Sequence, residues 1–161
     1  MTRLLCRLLG TALILAVFAV VVPLSVPRLI GYDIYNVVSA SMAPAIPVGS
    51  LIIVKPVDAV DVQEGDVIAF YSENTVITHR VTSNNALEGE ITTKGDANEQ
   101  EDMRKVRYGQ VIGKVSMHVP HLGTLGAVLT STVGKVYLAG VLICGIMFHM
   151  IAGRLKVIAE Q

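Results

Sequence analysis

Residues 8–22 carry no charge, and the apolar character continues past Pro23 to Ile30, with Arg3 and Arg7 just ahead of it. A run of about 20 apolar residues matches the hydrocarbon thickness of a bilayer, where no water is present to satisfy polar groups. A cleaved export signal has a shorter apolar run, about 7–15 residues, followed by a small-residue cleavage site. Pro23-Leu24-Ser25-Val26-Pro27 is a poor site of that kind, so residues 1–30 are expected to remain as an anchor. A second apolar run at 136–152, bounded by Lys135, Arg154 and Lys156, is expected to cross as well, the alternative being a buried core helix. Positive residues stay on the cytoplasmic side. Both termini are then expected in the cytoplasm and the middle outside, in a multi-pass protein of the cell membrane whose last segment is 127–161.

Composition follows this division. The chain is 52% hydrophobic and 16% charged, against roughly 45–50% and about 25% in an average soluble domain. Much of that excess lies at the two ends, and residues 31–126 are left as one small domain. Net charge is zero, and no Lys/Arg cluster interleaved with aromatics marks a nucleic-acid partner. Cys6 and Cys144 both belong to the apolar ends. The middle therefore folds without disulfides and without thiolate metal ligands.

Within the middle, β-branched runs at 34–38, 51–54, 66–71, 75–81, 90–93, 106 and 111–117 recur between turn signals. Glu64-Gly65-Asp66, Ser83-Asn84-Asn85 and Glu88-Gly89 are expected as the turns. The fold class expected is mainly β: bent or paired antiparallel sheets carried on helical anchors. Pro44, Pro47 and Gly49 keep the stretch after Ser41 out of any long regular element. A serine at such a junction is exposed instead of being buried in a ladder.

With no thiol in the middle, hydroxyls are the candidate nucleophiles: Ser39, Ser41, Ser50, Ser72, Ser83 and several threonines. A serine hydroxyl is weak until a base removes its proton. His79 is the histidine of the β-rich middle; His118 and His121 lie near the second apolar run and His149 inside it. An imidazole acting as base needs a carboxylate to fix its tautomer, and Asp96 and Asp102, in a polar loop, are both available. His118 and His121 lack a third ligand and are read as structural. Asp58, Asp61 and Glu64 are read as a solvated acidic turn.

Ser39-Ala40-Ser41-Met42-Ala43-Pro44, Gly65-Asp66-Val67-Ile68, His79-Arg80-Val81 and Thr93-Lys94-Gly95-Asp96 occur in the order, and with roughly the spacings, of type I signal peptidases. The resemblance covers most of 37–102, and the preceding anchor fits it. His79 stands where many bacterial relatives have lysine, so the chain resembles the ER-type branch shared by archaeal, some Gram-positive and eukaryotic enzymes. The resemblance implies a signal-peptidase-like antiparallel β catalytic domain flanked by transmembrane helices. It implies a serine endopeptidase that removes signal peptides from exported pre-proteins on the outer face of the membrane. Ser41 would attack, His79 would take its proton, and Ser39 would donate to the oxyanion beside the Ser41 N–H. Asp102 would orient His79, while Asp96 either takes that part or braces its loop. Ala97 departs from the eukaryotic pattern, in which a second asparagine is common. No cofactor or metal is implied, and the partners are signal peptides, the bilayer and the export machinery.

The chain between Gly31 and Ser41 spans at most about 3.3–3.6 Å per residue, which keeps the serine near the surface where a signal peptide emerges. Val37, Val38, Met42 and Ile46 flank it and are expected to form shallow pockets for small side chains. Two other readings use the same residues differently. A LexA-like Ser-Lys self-cleaving protease would take Lys55 or Lys94 as base, and an inactive membrane-anchored interaction module would use neither.

Overall fold

The computed structural model of the chain describes residues 2–159, apart from the side chains of 155–159. Met1, Gln161 and the Lys156 side chain, which enter the anchor and charge expectations, lie outside the described residues. The chain divides into two compact units, one from Pro27 to Gly126 and one formed by the segments before and after it.

The outer segments are helical. α1 spans Thr2–Leu29 and α3 spans Thr132–Ala159. Both are long and apolar enough to cross a membrane, with mean hydropathy of 2.5 and 2.0 over their most apolar windows. Just 11% of each window is buried, whereas a core helix would be covered mostly by protein. Pro23 and Pro27 lie inside α1 without ending it, as apolar spanning helices tolerate. α3 begins before the expected 136 because Ser131 caps it: its Oγ accepts the Gly134 N–H at 3.1 Å. A further helix, α2 (Leu122–Thr130), precedes that cap and was not expected from the sequence. α1 and α3 approach closely where a Cβ on Gly10 would lie 2.8 Å from the Gly145 carbonyl. Beside that contact, Thr11 Oγ1 and His149 Nε2 are 3.2 Å apart, so the histidine inside α3 has a partner.

The middle unit is built on one antiparallel seven-stranded sheet: β1 (Asp33–Asn36), β2 (Leu51–Lys55), β3 (Val67–Ser72), β4 (Thr75–Asn85), β5 (Glu90–Lys94), β6 (Val106–Arg107) and β7 (Val111–Val119). Their order is β1-β2-β7-β3-β4-β5-β6. β3 lies between β7 and β4 and is buried on both faces, which accounts for its unbroken apolar run. Ile68 and Phe70 join Val62, Val81, Ile91 and Val106 on one side, while Ala69 joins Met42, Ile46, Ile52 and Val54 on the other. The alternation of strand side chains thus separates two cores with one strand.

One expected turn is incorrect. Ser83-Asn84-Asn85 continues β4 instead of ending it. Asn84 is satisfied in the strand because its Nδ2 donates to the Ala59 and Val62 carbonyls at 3.0 and 2.8 Å and its Oδ1 accepts the Tyr108 hydroxyl at 2.7 Å. The chain turns just beyond, where Asn85 Oδ1 accepts the Leu87 and Glu88 N–H groups and Gly89 adopts φ +66°.

Candidate active site

Between β1 and β2 the chain leaves the sheet and runs irregularly from 37 to 50, as Pro44, Pro47 and Gly49 lead one to expect. Its base is closed by main-chain bonds from Val37 N–H to the Ser50 carbonyl (2.9 Å) and from Gly49 N–H to the Val37 carbonyl (2.8 Å). Gly49 at φ +81° makes that closure possible. Met42 and Ile46, 2% and 4% exposed, pin the loop to the core of β2 and β3. Ser41 is half-buried next to the Met42 anchor, and Ser39 is exposed. Their hydroxyl oxygens are 3.3 Å apart.

The Ser41 carbonyl accepts the Ala97 N–H at 2.8 Å, tying the serine loop to the turn after β5. Gly95 is buried in that turn, and a Cβ on it would lie 2.7 Å from the Ser41 oxygen. The turn is held to β4 by Arg80, whose Nε and Nη2 donate to the two Asp96 oxygens at 2.8 and 2.7 Å. Arg80 Nη1 donates to the Gly65 carbonyl at 2.7 Å. These bonds to Asp96 raise the affinity of the guanidinium for its proton further above the ordinary arginine range.

His79 stands opposite Ile68 in the β3/β4 register and packs its ring edge toward Phe70, with centroids 6.4 Å apart. It is 8% exposed. Its Nδ1 lies 2.6 Å from Asp102 Oδ2. With the Asp102 carboxylate as acceptor, Nδ1 carries a proton and the neutral ring presents Nε2 as its basic atom. Asp102 is further held by Thr93, whose Oγ1 donates to the same Oδ2 at 2.6 Å and whose carbonyl accepts the Asp102 N–H at 2.9 Å. Of the two carboxylates available in the sequence, Asp102 meets the imidazole and Asp96 meets Arg80.

A cavity of about 160 Å³ opens beside the two serines, lined by Val37, Val38, Ser39, Ser41, Met42 and Ile46 together with Tyr35, Ile52 and Val76-Ile77-Thr78 of β4. Tyr35 in its wall has its phenol pushed above the ordinary value by burial and by Asp33 and Tyr71 nearby. His79 and Asp102 line a neighbouring recess of about 300 Å³, and Ile77 borders both. Among the described residues no hydrogen bond joins Ser41 to His79. In substrate-free sites such bonds are often long and tighten on binding.

The remaining candidates lie elsewhere. Lys55 is exposed at the end of β2 opposite Lys114, and Lys94 pairs with Arg80 in the β4/β5 register. Neither lines the serine cavity. His118 and His121 are exposed, and among the described residues no group of three or more His, Cys, Asp or Glu could hold a metal ion. Thr93 and Arg80 were not assigned roles from the sequence, although both lie in quoted motifs. The period-two alternation of Ile91 and Thr93 is the signal that marks the threonine as inward-facing.

No family model matches the chain. The chain is 42% identical over 72 residues to Signal peptidase I W of Bacillus subtilis (strain 168), a stretch that takes in 44% of this chain. It covers 34% of that relative, so the chain spans about a third of the length of the curated protein it matches.

Proposed function

We propose that this chain is a membrane-anchored serine endopeptidase that removes signal peptides outside the membrane, in the branch that uses histidine as the base. Its catalytic domain would be 31–126, with anchors 1–30 and 127–161. The observation that carries this reading is the 2.6 Å bond from His79 Nδ1 to Asp102, which leaves Nε2 as the basic atom in the recess that Ile77 shares with the serine cavity. The similarity to a signal peptidase supports the signal-peptidase part of this reading, and the choice of branch rests on His79 alone.

The sheet has two free edges at this cavity. β1 pairs with β2 alone, and β5 covers β4 only from Arg80 onward, leaving 75–79 uncovered on that side. Val81 exchanges main-chain bonds with Gly65 and Asp66 on the β3 side. By alternation, Val76 and Thr78 turn their N–H and C=O groups to the open edge. Val37 bonds toward β2, so Asn36 and Val38 turn theirs outward. An extended substrate entering between these edges gains main-chain hydrogen bonds, as in strand addition. A cavity of 150 Å³ is large enough for a benzene ring, so the 160 Å³ here accommodates small side chains near the scissile bond.

In the reaction, substrate binding draws Ser41 Oγ and His79 Nε2 together. Oγ attacks the scissile carbonyl as Nε2 takes its proton, and Asp102 stabilises the resulting imidazolium. The oxyanion meets the Ser39 hydroxyl and the Ser41 N–H, where each donor contributes about 2.7–4 kcal/mol. His79 returns its proton to the leaving amine, and water repeats the cycle on the acyl-enzyme.

The test is cleavage of a pre-protein by detergent-solubilised protein. Ser41→Ala is expected to abolish cleavage, a loss on the order of 10⁶, while remaining folded and membrane-inserted. Substantial processing by that variant rejects Ser41 as the nucleophile.

A further inference from the structure

Asp102 belongs to a segment between β5 and β6 that has no regular structure of its own, so something outside that segment must hold its carboxylate on the imidazole. Thr93 supplies two contacts. Its carbonyl accepts the Asp102 N–H, and its hydroxyl donates to Oδ2, the same oxygen that meets His79 Nδ1. The main-chain bond alone would fix where residue 102 sits. The hydroxyl adds the side-chain rotamer, because two donors converging at 2.6 Å on one oxygen define the direction of the carboxylate.

Thr93 can do this because it is itself immobile. It is 0% exposed, and it lies opposite Val81 in the β4/β5 register, two residues along β4 from His79. A fully buried hydroxyl without an acceptor is costly, so the hydroxyl and the carboxylate constrain each other. The strand that carries the base and the strand that carries the clamp are hydrogen-bonded neighbours.

We propose that Thr93 is a positioning residue, acting through Asp102 on His79 so that Nε2 is aimed at the serine cavity. This rests on the peptidase reading above. Hydrogen-bond partners that orient a metal-ligating histidine commonly change activity by about 10–100-fold when lost, and a loss of the same order is expected for a partner that orients a histidine base. Thr93→Val removes the hydroxyl at similar size, and Thr93→Ser keeps it.

Cleavage kinetics and proton NMR of the His79 Nδ1–H are measured on the full chain in one detergent. Thr93→Val is expected to lower kcat about 10–100-fold with KM within about twofold, and to shift or broaden the Nδ1–H resonance. Thr93→Ser should restore both. Normal kcat with an unchanged resonance in Thr93→Val overturns the proposal, as does equal impairment of the valine and serine variants. If the wild-type protein cleaves no pre-protein, the peptidase reading has failed, and the resonance in the two variants alone decides whether the clamp exists.

Discussion

Arg80 grips Asp96 through a two-point fork, Nε to Oδ1 at 2.8 Å and Nη2 to Oδ2 at 2.7 Å, one residue along β4 from the imidazole that Asp102 holds. Adjacent residues of one strand thus engage the two carboxylates on opposite faces of the sheet. The two aspartates, alike in the sequence, have different work to do.

Asp96→Asn is therefore expected to act through stability. Hydrogen bonds to charged groups are worth about 1.5–3 kcal/mol, and the Asp96 side chain is 16% exposed, so solvent offsets little of the loss. Thermal unfolding should fall clearly in this variant. Asp102→Asn should remain folded and lose turnover by about 10⁴. If the stable but inactive variant is Asp96→Asn, the roles of the two aspartates are reversed.

The base is tested by contrast with lysine. His79→Ala should be nearly inactive, while Lys55→Ala and Lys94→Ala, which lie away from the serine cavity, should retain most activity. Substantial cleavage by His79→Ala, or loss of cleavage in either lysine variant, identifies another base.

Gly95→Ala probes the junction between the serine loop and the aspartate turn. A Cβ there would lie 2.7 Å from the Ser41 carbonyl oxygen and 2.8 Å from Asn98 Nδ2. The bond from Ala97 N–H to that carbonyl must then lengthen or break. Displacing the nucleophile by about 1 Å can cost on the order of 10²-fold in rate. Cleavage should drop by more than thermal stability does, and unaltered kinetics would show that the loop tolerates the shift.

Topology is checked with single cysteines introduced into a background lacking Cys6 and Cys144. An impermeant thiol reagent applied from outside should label a cysteine at Ser72 and spare one at Thr2 or Gln161. Labelling at Gln161 would mean that α3 does not cross.

The strands were legible in the sequence because a half-buried sheet alternates with period two, and β3 because burial on both faces removes even that alternation. The helices were legible because residues 8–22 and 136–152 hold apolar side chains on every face, which only a nonpolar surrounding can cover. The end of β4 was not legible. Ser83-Asn84-Asn85 has turn chemistry locally, and it stays extended because Ala59, Val62 and Tyr108, all distant in sequence, satisfy Asn84.

The same distinction applies at the site. The residue types and their order, Ser39, Ser41, His79, Asp96 and Asp102, belong to the sequence alone, since chemistry limits which side chains can be nucleophile, base and carboxylate. Which carboxylate meets the His79 imidazole was decided by tertiary structure. The register of β4 against β5 places Thr93 beneath Asp102, and it places Arg80 where Asp96 can close a fork. A hydrogen bond requires placement within a few tenths of an ångström. Residues 23 apart in the chain reach that separation only when the strands between them have paired.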